Sequence, residues 1–555
     1  MVIMSLLREF LGKFFSKIPN AYFERKTKIL SNHIDKVEEK VFAQCIALVD
    51  GSPFANDFYL NASMTLGDFR RNMPILRYHD VETYIARMMQ GSLGLLSPGI
   101  DVPFFARTSG TTGTPKYIPV TNQGIAALKS TGIQWGCSLY SQHSYLFGGY
   151  IANIVSDWGQ LSSPSGVPCG DLSGLINHYQ PWYVKKKYLI SDKINKISDQ
   201  KKRYFFILRT LLSQPELEFI STATPATLIA LARWGDDWKV KLIKSIFDGT
   251  VDDSLLWGDD GRKIAASFDL KPNRSRARAL DDIASKSGTL LPYQYWPNKK
   301  LISMWTGGDF SHYRRAIGEL YGSNTVVRDL GLLASEGAFT IPVEDETDLG
   351  LLNASRYFVE FLPIDKVFDS SNLLRSYELE AGGKYELVIT TPNGLVRYAQ
   401  GDVVECSSTL GRLPIIRFLS KVENISDLTG EKLTSFQVSA AIKDFLLDTS
   451  LSFDFCTLAP MIAEKPFYSL VIPDDVDFGF ELKRFAQKFD EILRSYNFIY
   501  HEHRELEKIG MVRICQKPIK FFQSIRDRHL QKNGTSIEQY KFPCLLKNKI
   551  DLQSM

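Results

Sequence analysis

Apolar residues recur at helical spacing over the first eighteen positions: Ile3, Leu6, Leu7, Phe10, Leu11, Phe14, Phe15 and Ile18, with Arg8, Lys13 and Lys17 off that stripe. The pattern predicts an amphipathic helix and not a secretory leader. Packing against the protein body is the favoured reading over binding a membrane surface. Residues 20–100 continue mainly helical. Within them, Met73 to Gly91 predicts a short extended lead and then a helix that its glycine ends. Phe104 and Phe105 end a buried strand, and Thr121-Asn122-Gln123 caps the following helix. From Trp135 to Trp158 the chain is rich in aromatic residues, with Tyr140, Tyr145, Phe147 and Tyr150 in between. Core packing is the favoured reading there, and an apolar pocket for a ring-bearing or fatty acid is the other. No arginine falls between Arg107 and Arg203, so this segment offers no arginine clamp for a substrate.

The lysines at 185, 186, 187, 193, 196, 201 and 202 read as a solvated helical surface. Residues 220–229 predict a strand followed by a proline-started helix. The polar, arginine-rich segment 259–300 carries no functional signal. Beyond it the strands multiply. Residues 301–305 predict a strand, Ser311 to Tyr321 a helix, and 325–342 a strand, turn and strand. Residues 357–362 and 384–391 predict further strands; Pro392-Asn393-Gly394 is a turn, and Leu395 to Tyr398 opens the next strand. Near the end, 467–473 reads as a strand and Glu481 to Ser495 as an amphipathic helix.

With 555 residues the chain exceeds what one core organises, so at least two domains are expected. Hydrophobic residues at 44% and charged residues at 23% argue against extensive disorder. A net charge of +4 does not mark a nucleic-acid binder. The seven cysteines are scattered, odd in number and never paired as C-x-x-C, which speaks against zinc and a disulfide framework and for free thiols in a reducing cytoplasm. No apolar run reaches the ~20 residues of a spanning helix, so a soluble, cytoplasmic protein is expected, with a monomer favoured.

The densest chemistry lies at Thr108-Ser109-Gly110-Thr111-Thr112-Gly113-Thr114-Pro115-Lys116. Its glycines let backbone approach an anion, its hydroxyls and amides donate hydrogen bonds, and its lysine adds a point charge. A polyphosphate suits it, although the G-x-x-x-x-G-K-[ST] spacing of a Walker loop is absent. A plain Ser/Thr/Gly surface turn is the alternative.

Three further stretches follow: Ala334-Ser335-Glu336-Gly337, Arg397-Tyr398-Ala399-Gln400-Gly401-Asp402 and Thr429-Gly430-Glu431-Lys432. In this order and at these separations they resemble the adenylate-forming superfamily of acyl-CoA synthetases and luciferases. More specifically they resemble its auxin-responsive acyl-acid-amido synthetase family, which joins a carboxylic acid to an amino acid. The likeness runs from about residue 73 to 543 and includes MPILRYHDVETYI, YFVEFLP, YELVITTPNGLVRYAQGDVV, LTGEKLT and GTSIEQYKFP. The chain reads as a bacterial-type member.

The resemblance implies roles for particular residues. Ser109, Thr111, Thr112 and Lys116 match the loop that holds the triphosphate of ATP. Ser335 and Glu336 match the second motif, whose glutamate binds magnesium, an ion that prefers carboxylate oxygen. Asp402 matches the aspartate that accepts hydrogen bonds from the ribose hydroxyls. Lys432 matches the catalytic lysine that the C-terminal domain delivers to the adenylation site. There are departures: Leu332 replaces an adenine-packing tyrosine, Val396 and Ala399 replace a tyrosine and an arginine, and the phosphate loop lacks a residue that plant members carry.

On this resemblance an α/β architecture is expected. A large N-terminal adenylate-forming domain of β-sheets flanked by helices, residues 1–419, would carry ATP and acyl acid. A smaller, mobile α+β domain, residues 420–555, would carry Lys432. The implied activity is ATP-dependent adenylation of a small carboxylic acid, with release of pyrophosphate, followed by transfer of the acyl group to an amino acid. A thiol acceptor such as CoA, or a non-catalytic adenylate-binding protein, are the alternatives.

Overall fold

The computed structural model describes residues 2–108, 116–147, 149–159, 161–251, 263–268, 270–296, 301–307, 313–422, 425–449, 451, 453, 455–476, 481–533 and 542–546. The N-terminal periodicity belongs to one long helix, Val2–Val49, interrupted by non-helical dihedrals at His33. Side chains up to Ser16, on which the amphipathic reading rested, lie outside the described residues, and Ile18 is exposed. Further along, Leu30, Ile34, Val41, Phe42, Cys45, Ile46 and Val49 recur at three- and four-residue spacing and are buried, so this part of the helix packs into the main core. The Phe42 ring meets Phe69 and Phe358 at centroid distances of 4.8 and 5.3 Å. The same helix buries Glu38, whose carboxylate accepts from Arg375 at 2.9 and 3.0 Å and from Ser376. Burial pushes that carboxyl up despite the Arg375 charge opposing it.

Among the described residues three larger sheets and the two-stranded pair Leu333–Ala334 with Gly337–Ala338 build the large unit. Strands Tyr150–Ile154, Leu217–Thr222, Leu301–Met304 and Val326–Asp329 lie side by side in that order, all parallel. Both faces are covered, as parallel sheets require. Helices Gln200–Leu212 and Pro225–Asp237 bury Tyr204, Leu208 and Leu228 on one face, and helix Asn122–Gln142 lies on the other with Trp135, Leu139 and Tyr140. Of the aromatic stretch, Trp135, Tyr140 and Tyr145 pack against this sheet, Trp158 packs on the main core and Tyr150 is exposed, while the Phe147 side chain lies outside the described residues. A seven-stranded antiparallel sheet follows in the order Thr340–Pro342, Gly350–Leu352, Leu413–Lys421, Tyr398–Leu410, Lys384–Thr390, Phe358–Pro363, Leu374–Arg375. The third sheet centres on Phe104–Arg107, antiparallel to Tyr117–Val120 and parallel to Pro168–Gly170.

The smaller unit is α+β. Strands Thr457–Met461, Phe467–Pro473 and Gly510–Lys517 form its sheet, covered by helices Ser435–Thr449 and Leu482–Tyr496. Fold class is thus as expected, and most elements begin and end within a few residues of the pattern. Two expectations need adjusting. The lysine run spans three short helices, Trp182–Lys185, Asp192–Asn195 and the start of Gln200–Leu212, and only Lys186, Lys193, Lys196 and Lys201 are fully exposed. Residues 325–342 hold four short strands where the pattern suggested two, because Gly331 and Gly337 both take positive φ and turn the chain. Among the described residues no helix is long and apolar enough to cross a membrane, and all seven cysteines are free.

Candidate functional site

Strands Phe104–Arg107 and Tyr117–Val120 pair as a hairpin whose tip is the Ser/Thr/Gly loop. At its base the Thr108 amide donates to the Lys116 carbonyl at 2.9 Å, and the Lys116 amide donates to the Thr108 hydroxyl at 3.1 Å. Residues 109–115, including Ser109, Thr111 and Thr112, lie outside the described residues. Lys116 is half-buried, and its ammonium stands 5.5 Å from the centre of the Tyr78 ring.

The second motif meets this base directly. Ser335 donates to the Arg107 carbonyl at 3.3 Å, which sets the turn Ser335-Glu336 against the hairpin. Glu336 is buried, and its backbone carbonyl accepts from the Asn393 amide nitrogen at 3.3 Å. Asn393 also accepts from the Thr121 amide at 3.0 Å, while the Thr121 hydroxyl donates to Pro392 at 2.7 Å and caps helix Asn122–Gln142 by accepting from Gly124 at 3.0 Å. One turn, Pro392-Asn393-Gly394, thus clamps the start of that helix to the turn that holds Glu336. Gly124 is required there because a Cβ would run into the Asn393 side chain.

Asp402 approaches from the antiparallel sheet. It is buried on Tyr398–Leu410, directly across from Lys421, and the Lys421 ammonium lies 2.5 Å from its carboxylate. The Glu336 carboxyl feels all of these groups: burial pushes it up, Lys421 draws it down, Asp402 pushes it up and Lys116 draws it down. Four charges from two sheets and a connecting turn therefore share one site. Arg77 and Glu386 border it as a two-pronged ion pair, with Nη2 to Oε2 at 2.9 Å. Burial raises the Glu386 carboxyl, and Arg77 opposes that rise.

The strand leading to Asp402 is fixed from below. Arg397 is buried with φ +47°, and its guanidinium donates to Glu360 at 2.8 and 2.9 Å and to the carbonyls of Phe69 and Arg70, each at 3.2 Å, and of Met73. Leu76 and Ala399 exchange backbone bonds with this segment at 2.9 and 2.8 Å. These contacts explain the conspicuous M-P-I-L-R stretch: it is the brace of the aspartate strand.

Lys432 stands apart. It is exposed with φ +47°, and among the described residues no contact joins it to Lys116, Glu336, Asp402 or Lys421. Its neighbour Glu431 is buried and accepts from the amides of Leu428 and Thr429, both at 2.8 Å, from the Thr429 hydroxyl at 3.0 Å and from Tyr468 at 2.5 Å. Glu431 holds the turn rigid and presents Lys432 to solvent. Leu332, which the resemblance sets where relatives carry a tyrosine, is half-buried, with its amide donating to the Thr340 hydroxyl at 2.7 Å and its carbonyl accepting from Phe339 at 2.8 Å.

Sequence reading gave no role to Lys421, Asn393, Glu431 or the Arg77–Glu386 pair. Asn393 carried a local signal as a turn residue, and Glu431 and Arg77 stood inside the quoted motif stretches without a role of their own. The donor set suits a hard cation with phosphate ligands: Glu336 offers a buried carboxylate, Asp402 lies close by, and such ions take one or two carboxylates and keep waters. Among the described residues there is no cluster of three or more metal-ligating side chains.

Three domain models match the chain: the GH3 family N-terminal domain over residues 24–326, the GH3 family central domain over 350–421 and the GH3 family C-terminal domain over 436–550. An indole-3-acetic acid-amido synthetase of Arabidopsis thaliana, GH3.4, is 23% identical over 550 residues, covering 93% of this chain and 89% of its own. The solved structure of the acyl acid amido synthetase AtGH3.15 in complex with 2,4-DB superposes with a TM-score of 0.83 at 18% identity, covering 96% of this chain and 94% of its own. A 2-hydroxyisobutyryl-CoA ligase in the postadenylation state shares the fold more distantly, with a TM-score of 0.51 at 11% identity over 92% of this chain and 89% of its own.

Proposed function

Because the chain belongs to the GH3 family, whose domain models together account for most of residues 24–550, we propose that it is an ATP-dependent acyl-acid amido synthetase. It adenylates a small carboxylic acid with release of pyrophosphate, then passes the acyl group to the amine of an amino acid. The observation that carries this reading is the convergence of Lys116, Glu336, Asp402 and Lys421 at the base of the hairpin that Phe104–Arg107 and Tyr117–Val120 form.

In this reading the loop residues Ser109, Thr111 and Thr112 and the Lys116 ammonium bind the triphosphate. Asp402 accepts from the ribose hydroxyls, for which its second oxygen is available beside the one facing Lys421. Magnesium, bound through Glu336, offsets phosphate charge. Lys432, on its rigid turn, neutralises charge as the acid's carboxylate attacks the α-phosphorus. Since no contact joins Lys432 to the cluster among the described residues, a movement of the unit carrying it would bring it to the reacting atoms. The boundary near residue 420 and a hinge between Asp402 and Asn424 fit that movement, because Lys421 ends the last strand pairing with the large unit and the next hydrogen-bonded strand pair, Ile425–Ser426 with Leu433–Thr434, belongs to the smaller one. Seven free cysteines fit a reducing, cytoplasmic setting.

The test is pyrophosphate release from ATP across a panel of aromatic, indolic and fatty acids, with amino acids or CoA added in separate arms and products identified by mass. Asp402→Ala and Lys432→Ala should each lower acid-dependent release by at least about a hundredfold. If both fold and release pyrophosphate at the parental rate, the assignment is wrong. Acyl transfer to CoA alone would replace the amide reading.

A further inference from the structure

In open α/β sheets ligands bind outside the carboxyl ends of the strands. Strands Tyr150–Ile154, Leu217–Thr222, Leu301–Met304 and Val326–Asp329 all end at one such edge. Two of the loops that leave it are tied together by a single carboxylate. Asp329 accepts through Oδ2 from the Thr306 amide and the Thr306 hydroxyl, both at 2.7 Å, and through Oδ1 from the Gly331 amide at 2.5 Å. Its backbone carbonyl accepts from the Trp135 indole at 3.0 Å, which ties in helix Asn122–Gln142 as well.

A buried carboxylate is costly to keep, and no ion pair accompanies this one among the described residues. Burial lifts the group to about 6, with the Thr306 and Gly331 hydrogen bonds opposing and Asp348 adding to the rise. What the group achieves is geometric. Gly331 has φ +84°, and a Cβ there would stand 2.6 Å from the Thr340 carbonyl, so the loop is pressed onto strand Thr340–Pro342. Leu332 is then bonded through both its amide and its carbonyl to residues 340 and 339. Thr306-Gly307 faces it across the carboxylate.

We infer that Asp329 is a positioning residue that fixes the distance between Thr306-Gly307 and Gly331-Leu332, and thereby the width of the slot that takes the purine base of ATP. The inference rests on the proposed function, which puts ribose at Asp402 and phosphates at Lys116 and Glu336. The Glu336 turn is held separately, by Asn393 on the Glu336 carbonyl and by Ser335 on the Arg107 carbonyl, so a shift of Leu332 changes base contacts while leaving the phosphate-binding groups in place.

The experiment compares the parent with Asp329→Asn, Thr306→Val and the double variant. It uses acid-dependent pyrophosphate release with ATP and with GTP, and calorimetric binding of each nucleotide. Loss of a charge-assisted bond corresponds to roughly a tenfold effect, so Asp329→Asn should raise the KM and Kd for ATP about tenfold and erode the ATP-over-GTP preference by a similar factor. Saturated turnover should stay within about threefold, and the double variant should be no worse than Asp329→Asn, because both changes break one link. Thr306→Val alone should cost about threefold and carries the test if Asp329→Asn does not fold. Folded variants with parental KM, Kd and nucleotide preference overturn the inference. If the parent releases no pyrophosphate with any acid, the proposed function fails, and the calorimetric ATP-to-GTP ratio still decides the role of Asp329.

Discussion

Replacing Glu431 by glutamine tests whether the turn before Lys432 is held as the hydrogen bonds indicate. The carboxylate takes four donors: the Leu428 and Thr429 amides, the Thr429 hydroxyl and Tyr468. Glutamine keeps one oxygen, enough for Leu428 and Tyr468, but turns an NH2 group toward the two Thr429 donors. Two charge-assisted bonds are lost and a donor meets a donor. At about 1.5–3 kcal/mol for each bond to a charged group, less what water recovers at the rim of the turn, the net cost is about 3 kcal/mol. Burial alone would raise this carboxyl; the Tyr468 hydroxyl and the backbone amides outweigh it and hold the group below its ordinary range. A carboxyl depressed in the fold adds stability above its unfolded value, and this is lost as pH falls through the folded one. The gap between parent and Glu431→Gln should therefore be full at pH 7 and narrow below about pH 4. Urea unfolding followed by tyrosine fluorescence reads the stability, and pyrophosphate release reads the chemistry, which should fall about tenfold or more with ATP binding unchanged if Lys432 acts from this turn. Equal stability at pH 7 would refute the hydrogen-bond argument. Lower stability with parental pyrophosphate release would refute the role given to the turn.

Other substitutions probe the frame of the site. Glu360→Gln, which leaves the Arg397 guanidinium buried without its counter-charge, should lower stability by about 3–5 kcal/mol in denaturant unfolding. Gly124→Ala should force Asn393 off Thr121 and Glu336; a cost of about 1–3 kcal/mol with weakened magnesium dependence of pyrophosphate release is expected, and an unchanged midpoint would show that the turn can yield. Gln400 buries both polar atoms of its side chain with no hydrogen-bond partner among the described residues, so Gln400→Leu should stabilise the ligand-free protein by about 1 kcal/mol, read as a rise in unfolding midpoint.

What could be read in advance follows from how locally each feature is encoded. Strand Phe467–Pro473 and the helix after residue 481 show in apolar spacing, and the Thr121 cap shows because capping needs only the next three residues. The charges of the core do not show, since a glutamate in a strand reads as solvent-facing; yet Phe358–Leu362 is buried throughout, and Glu360 sits among those residues because Arg397, thirty-seven positions on, meets it. Lys421 is an intermediate case. Counting back from the Leu410–Leu413 turn pairs it with Asp402, and the count succeeds only because the register shifts once between Val403 and Val404 and returns between Cys406 and Ser408. A sequence with one of those irregularities would have turned the lysine to the other face of the sheet. The motifs therefore pointed to Glu336 and Asp402, which the fold brings to one site, and the register decided which cation stands beside Asp402. That cation closes the hairpin at the end of the large unit, so the charge that holds Asp402 and the chain that leads to Lys432 meet at one residue. Under the proposed function, a nucleotide on the second oxygen of Asp402 would share that carboxylate with Lys421, which places binding next to the start of the connection to Lys432.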